Sequence, residues 1–236
     1  MTVMMRSAFL LGAVALLVGR VSARPSTAVD TLGVMRWTET KEGVCAFGVN
    51  YSEPFCSWRE HEQLGVSHHD AIDADVYHFA RMGLDGYRIH LWETDITDFE
   101  GNLLNNKHLQ LFDYLLFRLK ERKIKIFITA MNFFGGSPAG FQNKYGGKKE
   151  CLTNLEAFPV QERYLAQLVS HVNPHTGVAY KDDPDIIGFE INNEPVFHSA
   201  RPDLVPGNTL TACVPPYERQ VVTSRCFTMS VTTSSK

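Results

Sequence analysis

The sequence predicts an α/β fold with parallel strands, because short apolar runs alternate with amphipathic helical stretches from residue 45 onward. The chain has 236 residues, of which 44% are hydrophobic and 21% are charged, and this composition is typical of a globular protein. Its 23 basic residues are scattered and are outnumbered by 26 acidic ones. The charge distribution therefore favours neither a nucleic acid nor an anionic membrane as a partner.

The first 23 residues have the layout of a secretory signal peptide. Arg6 precedes an apolar run over 8–18, and Val21 and Ala23 occupy positions −3 and −1 of a cleavage site. The run has 11 residues, whereas a membrane-spanning helix needs about 20, so a signal anchor is the less favoured alternative. We expect a secreted, extracellular protein in which residues 24–42 lead into the folded domain.

Four strands are predicted along the domain, at 45–50, 87–91, 124–128 and 186–192. The first is a short apolar run, which we interpret as a buried strand. Asp85 and Gly86 form a turn signal directly before the second strand.

Three helices are predicted between these strands, at 70–82, 107–122 and 160–172, because apolar residues recur there at helical spacing. The apolar faces carry Ile72, Val76 and Phe79 in the first helix, Leu109, Phe112, Leu115, Leu116 and Leu119 in the second, and Tyr164, Leu165, Leu168 and Val169 in the third.

The strands begin about 40 to 60 residues apart, and an eight-stranded βα barrel at this spacing needs more than about 300 residues. Only 41 residues follow Pro195, and they are rich in Pro, Ser and Thr. The pattern predicts either a smaller open sheet or the first four units of a barrel over 43–198. In both cases an irregular tail follows over 199–236.

Five cysteines agree with an oxidising compartment, although their number is odd. Cys56 and Cys151 both lie in predicted loops and could form a disulfide, a bond that the sequence alone leaves open. Neither the cysteines nor the histidines have the spacing of metal ligands, so we expect no metal and no cofactor.

The predicted end of the fourth strand carries Asn193 and Glu194. In a parallel barrel the active site forms at the C-terminal ends of the strands. A carboxyl group held there against apolar residues would have a raised pKa and could protonate a leaving oxygen. The alternative is an exposed Glu194 in a loop, with Pro195 merely ending the strand.

The second strand places Arg88, His90 and Trp92 on one face, because alternate side chains of a strand point the same way. Arg88 could orient a catalytic carboxylate and Trp92 could stack on a sugar ring. The alternative for Arg88 is a structural ion pair with Glu190 or Asp85. Tyr51 and Asn132 follow the first and third strands and could also line a cleft, although Tyr51 could equally be packed in the core or at the rim.

The Asn-Glu-Pro sequence at 193–195, with Arg88 on an earlier strand, resembles the clan A glycoside hydrolases, above all family 5 with its cellulases and β-mannanases. The segment 173–184 is also similar to those enzymes, and the likeness covers about residues 43–197. The resemblance implies a (β/α)8 TIM barrel and retaining hydrolysis of a β-linked polysaccharide such as mannan or cellulose.

The resemblance also implies residue roles. Glu194 would be the acid/base, Asn193 would bind the sugar 2-hydroxyl and Arg88 would support the nucleophile. Asn132 stands where many members have a histidine, a departure from the family pattern. His90, Trp92 and Tyr51 remain candidate substrate-binding residues.

The family takes its nucleophile from a seventh strand, about 5–5.5 Å from the acid/base. This chain offers no such carboxylate, so we expect an incomplete chain that is inactive alone. The alternatives are a protein that binds sugar without catalysis and a gene model whose tail is misread.

Overall fold

The computed structural model describes residues 26–52, 65–132, 140–147, 150–151 and 154–193. In chain order the elements are β1 (Thr27–Val29), β2 (Met35–Trp37), β3 (Gly48–Asn50), α1 (His68–Arg81), β4 (Gly86–His90), α2 (Glu93–Ile96), α3 (Lys107–Glu121), β5 (Lys125–Met131), α4 (Phe141–Lys144), α5 (Phe158–Ser170), a 3-10 turn (Tyr180–Asp182) and β6 (Ile186–Asn192). The predicted signal peptide and the tail over 199–236 lie outside the described residues.

The central sheet has four strands in the order β3-β4-β5-β6, and every neighbouring pair is parallel. Strand follows strand in sequence order across the sheet, and the three long helices fall between consecutive strands. This is the arrangement of successive βα units. The predicted α/β architecture is therefore confirmed.

The first strand differs from the prediction. It is restricted to Gly48–Asn50, and Phe47 just before it is 66% exposed. An edge strand has a neighbour on one side only, so an apolar run at this place need not be buried. The expectation of a buried strand over 45–50 was wrong. Gly48 pairs with Gly86, and a β-carbon on Gly48 would lie 2.6 Å from the Gly86 carbonyl oxygen, which makes glycine necessary there.

The three long helices cover one face of the sheet and bury the apolar residues that predicted them. Ser67 caps α1 by accepting a hydrogen bond from the Asp70 amide, and Asn106 caps α3 in the same way from the Leu109 amide. These side chains satisfy amides that a helix start leaves unpaired, so each helix begins at a defined residue.

Helix α5 is joined to the sheet by a buried phenol. The Tyr164 hydroxyl donates to the Ala130 carbonyl oxygen of β5 at 2.7 Å. Burial, and to a lesser extent the Glu93 carboxylate, raise the pKa of Tyr164 well above its usual value. The phenol therefore keeps its proton, and the donor needed for this bond is always present.

A second buried polar group joins α3 to the chain that follows α5. Asp113 is 2% exposed and accepts hydrogen bonds from the Tyr180 hydroxyl at 2.6 Å and from His171 Nε2 at 2.9 Å. The Asn173 amide donates to the Asp113 carbonyl oxygen at 2.9 Å. Three side chains from 171–180 are thus held on one helical residue, which positions the approach to β6.

The lead-in over 24–42 contains a structure that the sequence did not predict. β1 and β2 form an antiparallel hairpin. The Thr27 hydroxyl donates to the Ile187 carbonyl oxygen at 2.9 Å, so the hairpin is attached near the start of β6. It therefore lies towards the N-terminal ends of the strands, away from the edge where a site was predicted.

The structure describes one of the two cysteines of the predicted disulfide. Cys151 is fully buried, with its thiol 3.7 Å from the Gln142 carbonyl oxygen. Cys56 lies outside the described residues, so a Cys56–Cys151 bond stays a prediction.

None of the helices within the described ranges is long and apolar enough to cross a bilayer.

We expect Asp113→Ala to lower the free energy of unfolding by about 3 kcal/mol, because it leaves buried donors without an acceptor. Urea unfolding followed by circular dichroism measures this loss. Glu100→Ala is the matched control, since the Glu100 side chain is 58% exposed and pairs with Lys144 at the surface. Equal losses in the two variants would show that the Asp113 hydrogen bonds contribute no more than a surface ion pair.

Candidate active site

Polar side chains gather on the face of the sheet opposite the helices. Ile89 and Leu91 are fully buried against the helical layer. Arg88 and His90 alternate with them and point to the other face, as the strand period predicts.

The Arg88 guanidinium is the centre of this group. Its Nε donates to Glu190 Oε2 at 3.1 Å, and Nη2 donates to the same oxygen. Nη1 donates to Asn50 Oδ1 at 3.0 Å, and Nη2 donates to Asn193 Oδ1 at 3.2 Å. One side chain on β4 therefore holds groups from β3, from β6 and from the residue that follows β6.

Glu190 is the buried partner of this cation. Its residue is 8% exposed, and the Thr129 hydroxyl of β5 donates to Oε2 at 2.6 Å. Thr129 and Glu190 are register partners, so their side chains meet on the same face. The carboxylate is thus compensated by a cation and a hydroxyl, as a buried charge requires. The structural pairing of Arg88 with Glu190 is observed, whereas Asp85 accepts from the Phe47 amide instead.

His90 and Trp92 lie farther along the same strand. His90 Nε2 contacts Arg88 Nη1. A guanidinium can only donate, so a hydrogen bond here requires this ring nitrogen to accept. Trp92 is partly buried against the core and directly precedes α2. The structure thus brings His90 to Arg88, whereas Trp92 packs partly against the core.

Asn132 lies just beyond the end of β5 and is buried. Its backbone amide donates to Glu93 Oε2 at 3.0 Å, which fixes the backbone at the end of β5. Its side-chain Oδ1 is buried without a hydrogen-bond partner among the described residues. Asn132 therefore keeps an unused acceptor at the edge where the site was predicted.

Tyr51 is placed differently from the other candidates. Its amide donates to the Arg88 carbonyl oxygen at 3.2 Å, which extends the pairing of β3 with β4. Its ring makes an edge contact with Phe79 of α1, with ring centroids 5.4 Å apart. This contact agrees with the packing alternative, and a substrate-binding role for Tyr51 stays a prediction.

Glu194 and Pro195 lie outside the described residues, so the acid/base role stays a prediction. Asn193, the residue before Glu194, is buried, and its backbone amide donates to the Met131 carbonyl oxygen at 2.8 Å. The chain is therefore fixed up to the position that precedes Glu194.

Thr129 was absent from the predicted site, and Glu190 was considered only as a structural partner of Arg88. Strand alternation could have found them, because Thr129 on β5 and Glu190 on β6 lie on the same face of the sheet as Arg88 on β4. Their register was needed to bring them together, and the sequence does not fix it. Across the described ranges, no set of three His, Cys, Asp or Glu side chains is arranged to hold a metal ion.

Comparison with known proteins gives a partial likeness. No family model matches the chain. A mannan endo-1,4-beta-mannosidase A from Podospora anserina is 36% identical over 91 residues, which is 37% of this chain and 22% of that protein. Mannan endo-1,4-beta-mannosidase 3 from Arabidopsis thaliana is 29% identical over 125 residues, which is 46% of this chain and 27% of that protein. The chain thus matches about a quarter of the length of these relatives.

Solved structures share the fold over a larger part of the chain. An endo-1,4-beta-mannanase from Rhizomucor miehei superposes with a TM-score of 0.57 at 22% identity, over 80% of this chain and 57% of that one. A glycoside hydrolase family 5 mannosidase from the same organism gives a TM-score of 0.54 at 16% identity, over 72% and 49%. The likeness to family 5 is therefore confirmed as a partial relationship, and the sheet corresponds to part of a (β/α)8 barrel.

We expect Arg88→Ala to lower the free energy of unfolding by about 3 kcal/mol, because Glu190 is then buried without its cation. Urea unfolding is again the measurement. Arg36→Ala removes an arginine that pairs with Asp30 near the surface and should cost much less. If both variants unfold at the same urea concentration, Arg88 does not compensate a buried charge.

Proposed function

We propose that this chain supplies the acid/base half of a secreted glycoside hydrolase that cleaves β-1,4-linked mannan with retention of configuration. The contact between Arg88 Nη2 and Asn193 Oδ1 carries the proposal. It joins two of the three residues that the family resemblance assigns to the site, although these two lie 105 positions apart in sequence.

The roles follow from the chemistry of the groups. Arg88 holds the Asn193 side-chain oxygen, so the Asn193 amide nitrogen can donate to a sugar 2-hydroxyl. Glu194, the next residue, would protonate the glycosidic oxygen and later activate water against the glycosyl-enzyme. His90 and Trp92 would line the sugar-binding surface, since an aromatic ring can pack on the apolar face of a sugar.

The substrate class is inferred from the relatives. Several curated proteins that match the chain carry the name mannan endo-1,4-beta-mannosidase. These matches favour mannan over cellulose as the polysaccharide. Residues 1–23 support secretion through their signal-peptide layout.

The proposed mechanism also requires a nucleophile. Retention requires a second carboxylate about 5–5.5 Å from the acid/base. Glu190 is held by Arg88 and Thr129, so its oxygen is already engaged. We therefore propose that hydrolysis depends on further βα units, including a seventh strand with a glutamate.

Sugar binding without catalysis is the second candidate. It is favoured by one observation on the described residues. Asn193 and His90 stand beside Arg88 as potential sugar-binding groups, whereas the carboxylate that Arg88 holds, Glu190, is already engaged. A chain of this kind would bind a β-glycan through the same cleft and turn over none of it.

We expect Glu194→Gln to lower kcat on β-mannan by about 10²- to 10⁴-fold in the polypeptide that the full transcript encodes, because the proton donor is lost. Release of reducing sugar from galactomannan measures it, and Glu156→Gln at an exposed position is the matched control.

Full activity in Glu194→Gln would overturn the assigned acid/base. Two results together would favour the binding candidate. One is a transcript that ends at Lys236, and the other is mannan affinity that survives Glu194→Ala without turnover in the unaltered chain.

A further inference from the structure

The last residue of β6, Asn192, carries a buried side-chain amide that has no hydrogen-bond partner within the described part of the chain. Asn192 is 5% exposed, and neither its Nδ2 nor its Oδ1 has a hydrogen-bond partner among the residues that the structure describes. Buried polar side-chain atoms are nearly always paired, because an unpaired one gives up its bonds to water without replacement. Asn192 loses both a donor and an acceptor in this way.

Strand geometry places this amide on the face of the sheet that carries Arg88 and Glu190. Asn192 follows Glu190 by two residues, so both side chains point to the same face, and Asn192 lies about 6.5 Å nearer the C-terminal edge. Met131 is its register partner on β5, and the bond from the Asn193 amide to the Met131 carbonyl oxygen fixes the strand end. The amide therefore lies one step beyond the Arg88–Glu190 ion pair.

A structural amide in the same protein looks different. Gln161 of α5 is 0% exposed, and its Nε2 donates to the Cys151 carbonyl oxygen at 2.8 Å. That amide stabilises the fold through a bond that is present in the free protein. Asn192 has no such bond, so a purely structural role would leave its polarity as a cost alone.

The edge of the neighbouring strand shows the same feature. Asn132, just past β5, also has a buried Oδ1 without a partner among the described residues. Two adjacent strand ends thus carry unused hydrogen-bonding capacity, at the edge where Arg88 holds Asn193. Amide groups are uncharged and both donate and accept, which matches hydroxyl groups better than it matches ions.

We infer that Asn192 is a substrate-binding residue, whose side chain bonds to hydroxyl groups on adjacent carbons of a sugar ring in the cleft. This inference rests on the proposed function, because it assigns the ligand to the same site. The carbonyl oxygen accepts from one hydroxyl while the NH₂ group donates to the next. Substrate binding then satisfies atoms that the free protein leaves unsatisfied, so the residue contributes to selectivity for the ligand.

The test compares Asn192→Leu with Gln161→Leu in the full chain. Leucine has nearly the volume of either amide side chain but no polar atoms. Asn192→Leu should raise the urea midpoint, because it removes an unsatisfied group, and should weaken binding of β-1,4-mannohexaose by about tenfold or more. Gln161→Leu should lower the midpoint and leave the affinity unchanged.

Asn192→Ala provides a second variant in case leucine does not fit, and it should show the same loss of affinity. Calorimetric titration with the hexasaccharide measures the affinity, and cellohexaose serves as the second ligand. Unchanged affinity in both Asn192 variants would overturn the inference and leave the proposed function standing. If the unaltered chain bound neither ligand, the proposed function would be overturned, and the inference with it.

Discussion

The ion pair between Arg88 and Glu190 is the constraint on which the arrangement of the polar side chains opposite the helices depends. The two residues lie on β4 and β6, so the pair spans β5, and Thr129 of β5 completes it. Burying a carboxylate is costly unless a cation and further donors surround it. An arginine has five donors in a fixed plane, which allows one side chain to meet Glu190, Asn50 and Asn193 together.

The two faces of the sheet therefore have opposite chemistry. On the helical side, apolar residues from α1, α3 and α5 pack against the strands, and the buried Asp113 is fully enclosed by donors. On the face opposite the helices, charged and amide side chains form a connected network that reaches the strand ends. A network of this kind fixes side-chain positions before any ligand binds, which is what a binding or catalytic site requires.

The comparisons with solved structures establish the fold and not the activity. The fold is shared with mannanases at 22% identity or less, so its architecture tolerates wide changes in sequence. A common fold does not establish a common activity, because function depends on particular groups at particular positions. Here those groups are Arg88, Glu190 and Asn193, and Asn192 adds a side-chain amide that makes no hydrogen bond to the residues that the structure describes.

The sequence by itself determined the α/β architecture, because hydrophobic periodicity reports which face of each helix or strand is buried. It gave the same bounds for β6 as the structure, and it placed Arg88 and His90 on the face opposite Ile89. It also offered both readings of Arg88, as a site residue and as the partner of Glu190.

Tertiary structure decided what periodicity cannot report. It showed that β3 is an exposed edge, that the lead-in forms a hairpin and that the Tyr51 ring packs on Phe79. It also decided that Arg88 meets Glu190 and Asn193 at once. These outcomes depend on strand order and register, and register follows from how whole elements pack rather than from any local run of residues.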